Sequence, residues 1–446
     1  MINDVKHEQN IAFSKKARIL CVLITSLTLV FFFVVGCLLW LRPDVSESEK
    51  RTLTPFPEFT WDGFISGQWT SDISLWYSDT YPMREGMIGA NDAINSLYGI
   101  QSDTYSENSG VVADDIDTDK GIDKDKLNTD NIVIDKGEEN DKNAGEGGQM
   151  IGGFYCVGDT AYELYYFNKT NSIAYVNLIN KTAEKLKGKV NVYDMIVPLG
   201  YEFALGDNII KAEGASDCSD AIDYMYDGLS KDVKSVDICK NMRLHKSEYL
   251  YFRTDHHWTS LGAYYAYEAF CQVKGIKATP LSSYQKLEFE GFLGTLYDKT
   301  KNDKLKANPD TVEAYVPMGT NAIEVLDRNG NTNTYSVVNK ATDAWYPKAN
   351  SKYNCFIAGD NPLSTIHNSS ITDGSTIVVV KESFGNAFIP FLVDSYEYVY
   401  VVDYRYFDGN LCDFAIEKKA DDILFINNVI ATSTGARLSE LDEIIK

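Results

Sequence analysis

The stretch TIVVVKESFGN at residues 376–386 decides the fold class. Isoleucine and valine fill positions 377–380, which is typical of a buried strand. Lys381 and Glu382 then lead into Ser383, and the Phe-Gly-Asn that follows predicts a sharp turn into a helix. Such a turn exposes a serine hydroxyl at a strand end and directs backbone N–H groups toward a developing oxyanion. A serine at this position more often serves only as a helix cap. A catalytic role for it therefore needs a second catalytic group elsewhere in the chain.

Strands and helices alternate on both sides of this stretch. From residue 151 onward, apolar strands such as 190–197 and 377–380 are separated by helical stretches such as 261–273. This alternation predicts a three-layer α/β domain with a mainly parallel sheet, which we assign to residues 151–446. Near 280–355 the alternation fails, and turn-rich sequence predicts a β-rich elaboration of the domain.

The Asp-His-His triplet at residues 255–257 contains two of the 5 histidines of the chain. The preceding run at 249–252 predicts a strand, and Thr259 or Ser260 can cap a helix that follows. The triplet is therefore predicted to lie on a strand-to-helix loop, where α/β enzymes keep catalytic groups.

In an extended backbone, Asp255 and His257 project to the same side and His256 to the other. A carboxylate so placed holds an imidazole in one tautomer and stabilises the imidazolium formed in proton transfer. A structural Asp–His hydrogen bond is the commoner alternative. Metal binding is the rival chemistry, but adjacent histidines in an extended segment point apart and no H-x-x-x-H spacing occurs. We predict neither a metal nor a cofactor.

Residues 19–41 carry no charge, and their length meets the requirement of about 20 apolar residues for a spanning helix. Basic residues precede the run and acidic residues follow it, so the N-terminus is predicted to be cytoplasmic and the rest outside the cell membrane. Cys37 ends a sequence that resembles a lipoprotein processing box. The residues after it stay apolar, which favours an uncleaved, single-pass anchor.

The chain therefore divides into four predicted segments. Residues 1–42 are the cytoplasmic N-terminus and transmembrane anchor, and 43–100 are a membrane-proximal helical lead-in with apolar positions at helical spacing. Residues 101–150 are crowded with Asp, Glu, Gly and Asn, which is typical of a solvated, disordered insertion. Residues 151–446 are the α/β domain.

Charge and cysteine usage limit the possible partners. The formal net charge of -22 argues against nucleic acid, because phosphate binding needs clustered Lys and Arg. The cysteines show no C-x-x-C pairing, which argues against a zinc cluster. Buried free thiols are favoured over disulfides, although a pair such as Cys218 with Cys239 is possible outside the membrane.

Several short motifs follow one another along the exported region. They are SE at 46–47, EKR at 49–51, DTYPMR at 79–84, YFRTDHHW at 251–258, GFLGT at 291–295, KESFGNAF at 381–388 and DYRY at 403–406. In this order they resemble the DHHW-motif proteins of Gram-positive bacteria. Those proteins are similar to the alginate O-acetyltransferases, which have a circularly permuted SGNH-hydrolase-like domain.

The resemblance implies roles for the residues that match. Asp255 orients the imidazole, His257 is the general base, and Ser383 is the nucleophile that carries the acyl group. The resemblance also implies an acetyl group as cargo, a polysaccharide as acceptor, and a membrane-bound O-acyltransferase as the partner that supplies acetyl groups. Glu382 is a departure, because the family usually has Asp before the serine.

Further residues of the same motifs are candidates for substrate contact. We expect Trp258, Asn386 and Arg405 to bind substrate, although a structural ion pair is the favoured alternative for Arg405. The backbone N–H groups of Ser383 and Gly385 are expected to face the oxyanion.

Two other functions stay open at this stage. The first is an esterase with the same triad, in which water replaces the sugar hydroxyl and acetyl groups are removed. The second is a non-catalytic, glycan-binding assembly subunit, which is favoured by the abundant tyrosine and tryptophan and by the Glu382 departure.

Overall fold

The computed structural model describes residues 144–340 and 349–445, together with scattered positions between 42 and 82. The predicted anchor at 19–41 lies outside the described residues, as does nearly all of the predicted insertion at 101–150. Across the described residues, no helix combines the length and the apolar character that crossing a bilayer requires.

The first unit of the chain comprises Met1–Ser102. Its described positions include two short strands, β1 (Val45–Ser46) and β2 (Arg51–Thr52), which pair antiparallel. Scattered helical residues follow between positions 61 and 77. The Arg42 guanidinium lies 4.0 Å from the centre of the Trp76 ring, at a distance typical of a cation–π contact.

The second unit comprises Asp103–Lys446. Its described strands are β3 (Gln149–Ile151), β4 (Phe154–Val157), β5 (Thr160–Tyr162), β6 (Asn191–Val197), β7 (Val233–Ser235), β8 (Gln285–Phe292), β9 (Asp310–Val316), β10 (Ala322–Leu326), β11 (Thr332–Ser336), β12 (Leu363–His367), β13 (Thr376–Lys381), β14 (Tyr398–Asp403) and β15 (Asp422–Asn428). Its described α-helices span Lys169–Leu186, Tyr201–Ala204, Asp207–Ala212, Cys218–Asp227, Cys239–Leu244, Ser260–Lys274, Thr295–Thr300, Asp303–Ala307, Ile389–Leu392, Leu411–Glu417 and Gly435–Ile444. Its 3₁₀ turns span Leu281–Ser283, Ala349–Cys355, Ser383–Ala387, Val393–Ser395 and Ala431–Ser433.

An eight-stranded sheet in the order β11-β10-β12-β14-β13-β15-β6-β7 forms the centre of this unit. Strands β14, β13, β15, β6 and β7 run parallel to one another. Strands β12, β10 and β11 add an antiparallel edge. The predicted α/β class is confirmed. The sheet is mixed because β12 pairs antiparallel with β14 and β10, and a tight turn at Gly330 joins β10 to β11 as a hairpin.

Helices cover both faces of the sheet. On β6, the Tyr193 ring packs edge-on against Phe270, with ring centres 5.3 Å apart. The next residue, Asp194, instead accepts a hydrogen bond from the Tyr175 hydroxyl at 2.5 Å. Since successive side chains of a strand point to opposite faces, the helices that carry Phe270 and Tyr175 lie on opposite sides of the sheet.

The β-rich sequence predicted near 280–355 divides into two parts. Strands β8 and β9 form an antiparallel pair of their own, with a bulge at Gly291, whose φ of 76° favours glycine. Strands β10 and β11 instead extend the central sheet.

The predicted strand at 249–252 does not form. Tyr251 makes only an isolated bridge to Trp258. The chain folds back on itself here, and the Thr259 N–H donates to the Leu250 carbonyl at 2.8 Å. The next helix begins where the sequence predicts, with the Thr259 side chain as its N-cap.

The six cysteines in the described part of the chain are buried free thiols. Cys218 and Cys239 are among them, so they form no disulfide with each other. The preference for free thiols is confirmed for these residues.

The buried carboxyl of Asp194 makes the stability of the domain depend on pH. Burial raises the pKa of Asp194 from 3.8 to about 7, against the opposing effect of the hydrogen bond from Tyr175. The folded chain then keeps a proton that the unfolded chain releases between roughly pH 4 and pH 7. This contribution to stability is complete below the lower pH and is lost as the pH rises through the upper one.

We therefore predict that Asp194→Asn removes one component of the pH dependence of unfolding. The free energy of unfolding of the natural chain should decline relative to that of the variant as the pH rises from roughly 4 to 7, because an amide has no proton to release. Urea denaturation at a series of pH values measures the difference. Exposed Asp408→Asn is the control, and parallel curves for the natural chain and Asp194→Asn would refute the prediction.

Candidate active site

Ser383 is the first residue of the 3₁₀ turn that follows β13. Glu382 precedes it in an extended conformation, and its side chain caps the turn. One carboxylate oxygen, Oε2, accepts from the Phe384 N–H at 3.1 Å and lies 3.2 Å from Ser383 Oγ. The other oxygen, Oε1, accepts from the Asn428 N–H at 3.0 Å. Because Asn428 ends β15, Glu382 ties the serine turn to the neighbouring parallel strand.

Gly385 lets this turn pack against the strand before it. A Cβ added at Gly385 would lie 2.6 Å from the Lys381 Cβ, closer than real side chains approach. The Gly385 N–H donates to the Glu382 carbonyl at 3.0 Å. The N–H of Ser383, in contrast, has no acceptor within the described ranges, and it remains available to a ligand.

A second buried carboxylate, Asp310, holds the loop that carries the histidines. It accepts from the Thr254 N–H at 2.8 Å and from the Thr254 hydroxyl at 2.6 Å. The Arg253 guanidinium lies 3.2 Å from the same carboxylate, and the Tyr249 hydroxyl also donates to it. Asp310 begins β9, so the separate β8–β9 pair fixes the path of the loop.

Asp255 accepts hydrogen bonds from three N–H groups. Two belong to His257, whose backbone N–H is 3.0 Å and whose Nδ1 is 2.5 Å from Asp255 Oδ1. The third is the backbone N–H of Thr295, at 2.7 Å from Oδ2. An Asp side chain that accepts from the N–H two residues later makes an Asx turn. The two side chains therefore face each other because of this turn, and not because of the extended alternation that the sequence predicts.

Ser383, His257 and Asp255 form one hydrogen-bonded chain. His257 Nε2 lies 2.8 Å from Ser383 Oγ. A carboxylate only accepts hydrogen bonds, so Nδ1 carries the imidazole proton and Nε2 is left to accept from the serine hydroxyl. Asp255 and His257 are 3% and 7% exposed, so the charge of the carboxylate is screened little by water. The arrangement can take a proton from Ser383 as its oxygen attacks a carbonyl.

Tyr353 supports the imidazole from one side. Its ring is stacked on His257, with centres 4.1 Å apart and planes at 13°. Its hydroxyl donates to the Ser383 carbonyl at 3.1 Å. Burial, and then the negative charges of Asp255 and Glu382, raise the pKa of Tyr353 well above its ordinary value, so the hydroxyl keeps its proton. No motif marks Tyr353, and sequence reasoning missed it.

Four charged side chains form a cluster beneath the serine turn, in which Lys381 and Asp403 are buried and Asp360 and Arg405 are partly exposed. Lys381 Nζ lies 2.7 Å from Asp403 Oδ2 and 3.0 Å from Asp360 Oδ1. Arg405 Nη2 lies 2.6 Å from Asp403 Oδ2 and 3.0 Å from Asp360 Oδ2. Burial opposes ionisation of Asp360, but the charges of Arg405 and Lys381 hold its pKa well below the usual value. The cluster is therefore ionised.

Comparison with known families gives one clear result. A sequence profile described as DHHW protein matches residues 49–144 and 136–402, most of the chain. The chain belongs to the DHHW protein family. No curated protein sequence matches it significantly.

Solved structures agree with this membership. A DHHW family protein from Eubacterium siraeum has a TM-score of 0.60 and 29% identity to this DHHW protein, covering 66% of this chain and 97% of that one. PatB1 from Bacillus cereus, whose structure carries a sulfonyl adduct, has a TM-score of 0.54 and 18% identity, covering 64% and 97%. The O-acetyltransferase domain of Pseudomonas putida AlgJ has a TM-score of 0.33 and 12% identity, covering 60% and 87%. The first two share the fold of this DHHW protein.

The motif tryptophan of this DHHW protein is a support and not a contact surface. Trp258 is fully buried, and its indole N–H donates to the Phe384 carbonyl at 2.8 Å. The expectation that Trp258 binds substrate does not fit this burial. The side chain instead fastens the histidine loop to the serine turn.

Asn386 and Arg405 are also paired with the carboxylates of the charged cluster. Asn386 is 1% exposed, and its Nδ2 donates to Asp360 at 2.9 Å. The Arg405 side chain is 11% exposed and paired with Asp403, as the structural alternative for this residue predicts. The Gly385 N–H is engaged within its own turn, whereas the Ser383 N–H meets no acceptor among the described residues.

His256 lies beside the hydrogen-bonded chain and not in it. It is partly exposed, and its ring centre lies 5.8 Å from that of Phe384. Asp255, His256 and His257 each bring one potential metal-ligand atom within 4.8 Å of the others. The Asp255 carboxylate already accepts three N–H groups, which favours a hydrogen-bonded pair over a metal centre.

We predict that Lys381→Met destabilises the domain by about 3–5 kcal/mol, because it leaves two carboxylates with Arg405 as their one remaining cation in the cluster. Lys381 is fully buried, so water cannot replace the lost ammonium. Urea denaturation at neutral pH measures the loss.

Lys187→Met is the matched control, because it breaks an exposed ion pair of the same type, in which Lys187 Nζ lies 2.7 Å from Asp232 Oδ2. Its stability should stay close to that of the natural chain. Equal losses of stability in the two variants would show that burial of the cluster does not determine its contribution to stability.

Proposed function

We propose that this DHHW protein is an O-acetyltransferase that moves an acetyl group onto a cell-surface or secreted polysaccharide through Ser383, His257 and Asp255. The observation that carries the proposal is the unbroken order of hydrogen bonds, 2.8 Å from Ser383 Oγ to His257 Nε2 and 2.5 Å from His257 Nδ1 to Asp255. A structural Asp–His pair does not need a hydroxyl on the second ring nitrogen, whereas nucleophilic catalysis does. The family resemblance supplies the acetyl group and the polysaccharide.

In the first half of the reaction, Ser383 Oγ attacks the carbonyl carbon of an acetyl donor. Its proton passes to His257 Nε2, and Asp255 stabilises the imidazolium that results. The Ser383 N–H is available to donate to the oxygen that becomes negative. The bond to the leaving group then breaks, the leaving group takes the proton from Nε2, and an acetyl-serine remains.

In the second half, a hydroxyl of the polysaccharide attacks the acetyl-serine. His257 Nε2, again neutral, accepts the proton of that hydroxyl and returns it to Ser383 Oγ as the ester bond to the enzyme breaks. The acetyl group is then bonded to the sugar oxygen and the enzyme is restored. If water attacks in place of the sugar, the same residues carry out hydrolysis.

We further propose that the enzyme acts outside the cell membrane, held by the single apolar run at 19–41 with its N-terminus in the cytoplasm. One spanning segment cannot itself carry acetyl groups across a bilayer. A membrane-bound O-acyltransferase is therefore the proposed partner, as the family resemblance implies.

We predict that Ser383→Ala and His257→Ala each lower acetyl transfer by roughly a thousandfold or more, because the first removes the nucleophile that carries the acetyl group and the second removes the base that moves the proton. Acetate released from the cell-surface polysaccharide by mild base measures the product, with protein levels checked in parallel. A sulfonyl fluoride, chosen because PatB1 is known with a sulfonyl adduct, should label the natural chain and not Ser383→Ala.

His256→Ala is the matched control for His257→Ala, since it removes the neighbouring imidazole but leaves the hydrogen-bonded chain intact. It should weaken transfer without abolishing it. If the chain tolerates both histidine changes equally, the proposed triad is wrong and the non-catalytic assembly function stands.

A separate prediction distinguishes transfer from hydrolysis. The purified full-length chain, given an acetyl ester donor, should release its leaving group faster when polysaccharide from the producing cell is added, because the sugar hydroxyl outcompetes water for the acetyl-serine. Acetylated polysaccharide should accumulate in proportion. Leaving-group release that is indifferent to polysaccharide, with free acetate as the product, would instead identify an esterase.

A further inference from the structure

A groove of about 370 Å³ lies beside the histidine loop, and the chemistry proposed above does not use it. Tyr162 of β5 and Phe203 of the helix Tyr201–Ala204 line it, together with side chains from the segment 246–253. The volume falls in the range of ordinary small-molecule sites, roughly 300–1,000 Å³. The groove is thus large enough for sugar rings.

The groove lies at the same edge of the sheet as Ser383. Gly200, three residues beyond the end of β6, forms part of its wall, so it lies at the carboxyl edge of the parallel sheet. Ser383 follows β13 at the same edge, where ligands of α/β folds bind. A narrow crevice shares Tyr162 and Tyr251 with the groove and reaches Asp255 and His256.

Aromatic rings give the groove faces on which a sugar can lie. The rings of Phe203 and Tyr251 are stacked, with centres 6.1 Å apart and planes at 25°. The Tyr251 hydroxyl donates to the Pro198 carbonyl at 2.5 Å, which fixes that ring. A Cβ added at Gly200 would lie 2.9 Å from the Tyr251 ring, so glycine there allows the close packing. Phe203 remains partly exposed.

The charged residues around the groove balance in sign. Lys246 and Arg253 are basic, and Asp159 and Glu248 are acidic. Such a rim carries no net charge, unlike the clusters of basic residues that hold polyanions. Aromatic faces with a balanced polar rim suit a ring that has apolar C–H faces and neutral hydroxyl edges.

We propose that this groove is a distal subsite for a neutral polysaccharide acceptor, with Phe203 as its stacking residue. The inference rests on the proposed function, and it adds the class of glycan and the place where the chain of sugars continues beyond the acetylated unit. A subsite of this kind strengthens binding of long acceptors and leaves single sugars unaffected.

The test measures binding by calorimetry, using the full-length chain with Ser383→Ala so that no acyl transfer occurs. The probes are cellohexaose, chitohexaose and mannohexaose, with hexagalacturonate as the anionic comparison and the matching monosaccharides as short ligands. We expect at least one neutral hexamer to bind, and Phe203→Ala to weaken it about tenfold or more. Phe203→Tyr, which keeps the ring, should restore binding.

Tyr166→Ala is the control, because Tyr166 is 42% exposed and does not line the groove. Its binding should match that of the parent. Failure of every neutral hexamer to bind, tighter binding of hexagalacturonate, or indifference to Phe203→Ala would each overturn the subsite. Thermal unfolding of Phe203→Ala shows whether the fold survives; if it does not, Phe203→Leu, which keeps an apolar side chain without a ring, replaces it and must show the same loss.

The two proposals fail differently. The binding experiment uses no catalysis, so a defective triad leaves its result unchanged. If Ser383→Ala retains acetyl transfer, the proposed function is wrong even though a neutral hexamer binds. If the triad variants lose transfer while no hexamer binds, the function stands and the subsite is wrong.

Discussion

A buried carboxylate needs hydrogen-bond donors, and Asp255 obtains three from two separate parts of the chain. His257 supplies two of them, and Thr295 supplies the third from the start of a short helix. This convergence requires Gly294, because an added Cβ there would lie 2.2 Å from the Asp255 Cβ. The charge of the Asp255 carboxylate, the tautomer of His257 and the path of the chain after β8 therefore depend on one another. Any change to one of them alters the other two.

The nucleophile and its base come from different parts of the fold, so their separation depends on the contacts that join those parts. Ser383 is fixed by the sheet, whereas His257 lies on a loop held by the β8–β9 pair. The Trp258 indole bonds to the Phe384 carbonyl, and the Tyr353 hydroxyl bonds to the Ser383 carbonyl, at 2.8 Å and 3.1 Å. These contacts hold the serine turn beside the imidazole. Supporting side chains of this kind make a site precise while touching no substrate.

Features that depend on local sequence were predictable here. The strand and turn around Ser383 and the Thr259 cap follow from β-branched runs, turn residues and capping chemistry. Asp310 and Tyr353 were not predictable, because they act 56 residues from Thr254 and 30 residues from Ser383 and belong to no local pattern. The prediction that His257 faces Asp255 is confirmed, but an Asx turn brings the two side chains together and not the alternation of an extended backbone. A sequence motif also does not reveal whether its side chains are exposed. Trp258 and Asn386 were therefore expected to contact substrate, although both are buried.

The charges beneath the serine turn also limit how the site can work. They cancel, since they comprise the two cations and two anions Lys381, Arg405, Asp360 and Asp403. A cluster with net positive charge would oppose the imidazolium on His257, and one with net negative charge would oppose an oxyanion at Ser383. A neutral cluster fixes the turn through directed contacts without favouring either charge. The carboxylate of Asp255, bonded directly to the imidazole, is then left to stabilise the imidazolium. The field at the serine depends on the triad and on the Glu382 side chain, whose Oε2 lies 3.2 Å from Ser383 Oγ.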